Sequence, residues 1–221
     1  MLLTALAILS LVLTVWQWRV AFRFPLHERI RDAKFAPPLT LLKPLKGCDS
    51  ETEACLRSWF QQEYQGPVHV LFGVASPDDS ACRLIQRLIE QHPAVDAELV
   101  ICPESLGANG KVSTLLQLQP RAKHDVLVVS DADVRVPSDF LVNLVAPLSD
   151  NGVGLVNCFY RLANPATLAL RWEAVAINAD FWCQVLQSQS LRPLDFALGA
   201  VMATTRRQLE GIGGFAALRD Y

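Results

Sequence analysis

The chain has 221 residues, of which 51% are hydrophobic and 19% charged, long enough for one α/β domain with a substantial core. Its formal net charge of -2 leaves no basic footprint for nucleic acid, so that class of partner is excluded. The six cysteines, at 48, 55, 82, 102, 158 and 183, form no Cys-x-x-Cys pair. They argue against a structural zinc site and read as reduced thiols, several of them in the core.

The first stretch is the most apolar. Residues 2–18 contain no charged side chain, and these seventeen residues lie at the short edge of what crosses a bilayer as a helix. Trp16 and Trp18 fit an interfacial belt, and Arg19, Arg23, Arg29, Arg31 and Lys34 follow. A cleaved signal peptide carries its positive charge before the apolar run, and here the charge comes after it. The reading is a membrane anchor over residues 1–20, with the N-terminus outside and the remaining chain on the cytoplasmic face of the inner membrane. A buried core helix is the alternative. Residues 21–38 read as a basic, amphipathic juxtamembrane linker closing on Pro37 and Pro38. The globular part begins at Leu39.

From there the pattern alternates. Strands are predicted at 39–42, 68–75, 97–102, 126–130 and 154–157, and helices at 49–63, 79–91, 110–118 and 138–148. Asp49 and Ser138 serve as N-caps of the first and last of these helices. Ala81, Leu84, Leu88 and Ile89 share one face of the second. Beyond Pro165 a long apolar helix runs to about residue 186, then a strand at 199–204 and a turn at 211–214. Strands alternating with helices of ten to fifteen residues predict an α/β fold with a doubly wound, mostly parallel sheet flanked by helices. Trp59, Leu84, Leu88 and Val128 are the expected core.

The chemistry lies where these strands end. Val126–Val129 is an unbroken apolar run, as a strand buried on both faces requires, and it stops abruptly at Ser130, Asp131, Ala132 and Asp133. Two carboxylates one residue apart at such a strand end suit a hard divalent cation, Mg²⁺ or Mn²⁺, completed by substrate phosphate oxygens. A polar turn with a capping aspartate is the plain alternative. The first strand is followed by Lys43, Pro44, Leu45, Lys46 and Gly47, and the second by Asp78 and Asp79, which suit a uracil or ribose edge or a helix cap. The stretch Gly107–Lys111 lacks the spacing of a phosphate loop, and no Gly-x-Gly-x-x-Gly follows the first strand. Even so, Gly110 and Lys111 at a helix start offer backbone N–H groups and a cation to a diphosphate. Right-handed crossovers bring all four loops to one rim of the sheet.

Taken together, Lys43-Pro-Leu-Lys-Gly47, Asp78-Asp79, Asn109-Gly-Lys111, Asp131-Ala-Asp133 and Gly213-Gly-Phe215 resemble the ceramide glucosyltransferase-like enzymes of glycosyltransferase family 21. The Asp-Ala-Asp form is similar to the bacterial, hopanoid-biosynthesis-associated members. The resemblance runs the length of the chain. It implies a GT-A (nucleotide-diphospho-sugar transferase) fold over residues 39–221 and inverting transfer from a UDP-sugar to a membrane lipid hydroxyl with a divalent metal. By position it implies Asp79 and Asp131 on the nucleotide side and Asp131 and Asp133 at the metal. Lys43, Pro44, Asp78, Gly110 and Lys111 complete the expected donor site. The family's general-base aspartate is expected beyond Tyr221, with Asp220 a few residues too early for it. On that reading the chain is truncated at its C-terminus and inactive by itself. A polyprenyl-phosphate glycosyltransferase and a non-catalytic nucleotide-sugar-binding fragment are the alternatives.

Overall fold

The computed structural model describes residues 1–24, 29, 34–194 and 196–220, and these fall into two compact units. Of the predicted linker, residues 25–28 and 30–33 lie outside the described residues.

One unit comprises residues 30–158 and 198–221. Among its described residues, six strands form one sheet in the order β3-β2-β1-β4-β6-β5. The strands are β1 (Leu39–Leu45), β2 (Val68–Val74), β3 (Asp96–Ile101), β4 (Val126–Ser130), β5 (Leu155–Asn157) and β6 (Val201–Thr205). The first four are mutually parallel, while β6 runs antiparallel to both β4 and β5.

Apolar residues alternate between the two faces, as the two-residue period of a strand requires. Leu39, Leu41, Val70, Phe72, Val126 and Val128 pack with α2 (Thr52–Phe60), α3 (Ser80–Gln91) and α5 (Phe140–Val145). Leu42, Leu71, Leu127 and Val129 pack the other way, with α4 (Gly110–Leu118), α8 (Arg206–Gly211) and Phe215. Covered on both faces, β4 is buried along its whole length. At one point the sheet and a helix meet too closely for any side chain. A Cβ on Gly73 of β2 would lie 2.5 Å from Thr114 Cγ2 and 2.9 Å from Leu118 Cδ1 of α4.

Several boundaries differ from expectation for identifiable reasons. β1 runs to Leu45, not to residue 42, because β2 offers it pairing partners as far as Val74. The helix expected over 49–63 is shorter. Asp49 still serves its start, accepting from the Glu51 and Thr52 amides and the Thr52 hydroxyl, but from just outside it. Ser138 caps no helix; its hydroxyl donates to Glu63 Oε1, and α5 begins two residues later. On α3 the buried stripe is Ala81, Cys82, Ile85 and Leu88, with Leu84 and Ile89 half-buried at its edge. Trp59, Leu88 and Val128 are core as expected. All six cysteines are unpaired.

The other unit joins residues 1–29 and 159–197. α1 (Leu2–Arg23) is long and apolar enough to cross a membrane. Trp16, Gln17, Val20 and Ala21 are half-buried at helical spacing, and the rest of α1 is exposed. The predicted long helix is present, but as α6 (Leu168–Val175), a π-helical stretch (Ala176–Phe181) and α7 (Trp182–Gln189). Gln17 Nε2 donates to Asp180 Oδ1 at 3.3 Å, and Gln187 Nε2 donates to Leu13 O at 3.3 Å. The two pairs occur in opposite order along the two helices, so the helices are antiparallel.

Candidate functional site

The C-terminal rim of the parallel strands carries the expected loops. β4 ends at Ser130, and Asp131 leaves it with its amide donating to Ala200 O at 3.0 Å, which fixes where the Asp-x-Asp turn starts. The rest of that turn is held from α2. Cys55 Sγ donates to Asp133 O at 3.2 Å, and Trp59 Nε1 donates to Val134 O at 3.0 Å. Ser58 Oγ accepts from the Val136 amide at 3.1 Å. Residues 55, 58 and 59 share one face of a helix, so a single element fixes three residues of loop. Sequence reasoning assigned Trp59 to the core and missed Cys55 and Ser58. The only signal for them was helical spacing.

Lys43 requires a correction. Expected on a donor-facing loop, it lies within β1 and is fully buried. Alternation turns its side chain toward α2, where Nζ sits 4.8 Å from the centroid of the Trp59 ring. The ammonium donates to Asp131 O at 2.6 Å and to Ser130 Oγ at 3.0 Å. It therefore braces the start of the Asp-x-Asp turn from beneath. Burial pushes its pKa down to about 7, a shift partly offset by Cys55, Asp131 and Asp133 nearby. Pro44, also expected on the loop, is a strand residue opposite Gly73.

Lys111 is at the rim as expected. It stands in the first turn of α4, whose N-cap Asn109 accepts from the Val112 amide. Its ammonium pairs with Asp131 Oδ1 and reaches Gly199 O at 3.3 Å. Both partners are a little over one-third exposed. Nothing lies within 4 Å of where a Cβ on Gly110 would stand, so this side of the helix start is open to approach. The Gly107–Asn109 loop is backed by the end of the chain, since the Asn109 amide donates to Arg219 O at 2.9 Å. Beside it, Asp220 forms an exposed pair with Arg219.

The acidic pair after β2 divides its roles. Asp79 is the N-cap of α3, accepting from Ala81 N at 2.8 Å, and both its oxygens accept from Gly47 N at 3.0 Å. It ties the loop after β1 to the loop after β2, and Gly47 meets it with φ +72, a conformation that glycine adopts without strain. Asp78 is exposed. The structure thus joins Lys111 and Asp131 directly and leaves the Asp133 side chain exposed at the mouth of the same turn. Asp78 and Asp79 remain two strands away along the rim.

Among the described residues no cluster of three or more His, Cys, Asp or Glu side chains surrounds a metal position. Two carboxylates fit a hard cation that takes its remaining ligands from phosphate and water, which is the usual Mg²⁺ arrangement. Asp133 is free to face such a cation, whereas Asp131 would first have to part from Lys111.

Comparison with known proteins agrees with this architecture. The family model described as "Glycosyl transferase family 21" matches residues 1–221. A ceramide glucosyltransferase of Candida albicans is 34% identical over 131 residues, covering 54% of this chain and 24% of that protein. The Komagataella phaffii ceramide glucosyltransferase is 31% identical over 165 residues, covering 68% of this chain and 32% of that protein. The chain thus spans about a quarter to a third of the length of these relatives. Among solved structures, a mannosyltransferase from Pyrobaculum calidifontis, in complex with GDP-Man and Mn²⁺, superposes with a TM-score of 0.65 at 22% identity. The match covers 91% of this chain and 54% of that one, and with the mostly parallel sheet it shows the GT-A fold.

Proposed function

The chain belongs to glycosyl transferase family 21, and on that footing we propose that it serves inverting transfer of a sugar from a UDP-sugar to a hydroxyl of a membrane lipid. The observation that carries the reading is the Lys111–Asp131–Asp133 arrangement at the end of β4. It presents one cation and two carboxylates on the edge where open α/β sheets take their ligands. The ceramide glucosyltransferase names of the relatives support a lipid acceptor.

Asp133 and, once released from Lys111, Asp131 would hold the Mg²⁺ or Mn²⁺. Bound there, the cation would offset negative charge on the departing UDP as a Lewis acid. The chain's own residues supply the rest of the donor site. Lys111 exchanges Asp131 for a diphosphate oxygen, and the amides opening α4 add the favourable end of a helix dipole. Lys43 and the α2 side chains keep both carboxylates in register while that exchange occurs. α1 holds the protein at the membrane, with the catalytic unit on the cytoplasmic face. A reporter fused after Pro38 should accordingly be active only in the cytoplasm, and periplasmic activity would reverse the orientation.

Calorimetry of the purified protein with UDP, with and without Mn²⁺, tests the donor site. Asp133→Asn keeps the shape and removes the charge, so metal-dependent affinity should fall at least tenfold while the circular dichroism spectrum is unchanged. Unaltered metal-dependent affinity would remove Asp133 from the site.

A further inference from the structure

The unit containing α1 has a pocket of its own, about 350 Å³ in volume, lined by Tyr160, Ala176, Ile177, Asp180, Phe181 and Gln184. Five of these lie on one face of the π-helical stretch and the turn after it, and π-helical insertions in α-helices frequently mark functional sites. The sixth, Tyr160, is held in place from that same helix. Trp182 Nε1 donates to Tyr160 O at 2.6 Å, while Asn178 Oδ1 accepts from the Leu162 amide and Asn178 Nδ2 donates to Leu162 O. The pocket is therefore built by the local fold and is more than a gap between loose segments.

Its chemistry is specific. Among the described residues four linings are aromatic or aliphatic, the polar groups are Asp180 and Gln184, and no lysine or arginine contributes. Asp180 Oδ1 accepts from Gln17 at 3.3 Å and Oδ2 from Gln184 at 2.5 Å, leaving further lone pairs on each oxygen. A carboxylate without a cation beside it accepts hydroxyl or amide protons and repels phosphate. The volume lies at the small end of ligand sites and suits a headgroup with its first carbons.

The pocket's level relative to α1 identifies the source of such a ligand. Asp180 pairs with Gln17, one residue before Trp18 closes the charge-free run and Arg19 follows. With α1 across a bilayer, that level is the boundary of hydrocarbon and headgroups. From Asp180 toward Leu168 the helix continues past the end of the charge-free run. There Leu168, Trp172 and Val175, at i, i+4 and i+7, are 71%, 69% and 59% exposed. An exposed apolar stripe with a tryptophan suits a helix end passing through the headgroup level, where aromatic side chains are enriched. We propose that this pocket is a lipid-headgroup site at the membrane interface, selective for uncharged, hydroxyl-bearing lipids over anionic ones. Only the occupant's identity as the sugar acceptor rests on the glycosyltransferase reading.

The test uses the full chain in nanodiscs containing a diazirine-labelled diacylglycerol, or phosphatidylglycerol with the same labelled acyl chain, with adducts mapped by mass spectrometry. Diacylglycerol should label the 160–184 peptides several-fold more than phosphatidylglycerol does. Ala176→Trp, which fills the pocket from an exposed position, should abolish that labelling. Asp180→Asn should narrow the preference by admitting the anionic probe. Equal labelling by both probes, adducts unaffected by Ala176→Trp, or crosslinks to a second copy of the chain in place of lipid would each overturn the site. Because no UDP-sugar is present, failure here leaves donor binding untouched, and loss of donor binding in calorimetry leaves the pocket untouched.

Discussion

The buried ammonium of Lys43 should make stability depend on pH in a way that one substitution removes. Its pKa is held near 7 by burial, against 10.5 in the unfolded chain. Between those values the unfolded state binds a proton that the folded state does not, so stability rises with pH across the window. The full span of about 3.5 units corresponds to roughly 5 kcal/mol. Only part of it can be read cleanly. Burial raises the thiol pKa of Cys102 to about 11 and of Cys158 to about 12, so above pH 9 the unfolded thiols ionise first and stability falls again. From pH 7 to 8.5, with Lys43 half-titrated at the start, the gain is about 1.5 kcal/mol. Lys43→Met keeps the unbranched stem over Trp59 and cannot titrate. Unfolding of both proteins in one detergent, followed by circular dichroism at the two pH values, should show the wild type gaining that amount relative to the variant. Parallel pH dependence of the two would mean that burial beneath Asp131 does not lower the pKa of Lys43.

Lys111→Ala should weaken UDP-sugar binding severalfold and leave the melting temperature within a degree or two. The Lys111–Asp131 pair is more than one-third exposed on both sides, and such pairs contribute about 0–1 kcal/mol. A large loss of stability with unchanged binding would make the pair a structural brace. Gly73→Ala should destabilise by about 1–3 kcal/mol, because its methyl group would enter the packed contact with Thr114 and Leu118. A neutral result in thermal melts would show that α4 can draw back from the sheet.

Much of the fold was legible because its physical signals are local. The uniform apolar run of Val126–Val129 announced a strand covered on both faces, and residues 110–118 and 126–130 form their helix and strand as expected. Boundaries failed where a partner or a competing contact decided them. The pairing of β1 with β2 as far as Val74 carried the strand through Lys43 and Pro44. A hydroxyl contact with Glu63 drew Ser138 away from capping. On α3 Ile85 took the core position that the pattern gave to Leu84, because a stripe's exact rotation is set by the surface it meets.

The candidate site divides along the same line. Residues proposed to meet a ligand are polar and stand at the rim, just past a strand or at a helix start, which is why Lys111, Asp131 and Asp133 could be singled out from sequence. The groups that hold them carry no such mark. A lysine reads as a surface cation because its charge is costly to bury. That inference failed for Lys43 because two oxygen acceptors and an aromatic face lie where its strand happens to turn it. Cys55, Ser58 and Trp59 are ordinary residues for a packed helix, and their part depends on which carbonyls and amides β4 leaves unpaired as it ends. A sheet cannot pair the backbone of a turn that leaves it, and buried backbone groups need partners. The Asp-x-Asp turn therefore has to be completed by side chains from a neighbouring element. Such dependence exists only in three dimensions, and it makes α2 and Lys43 as necessary to the two carboxylates as β4 itself.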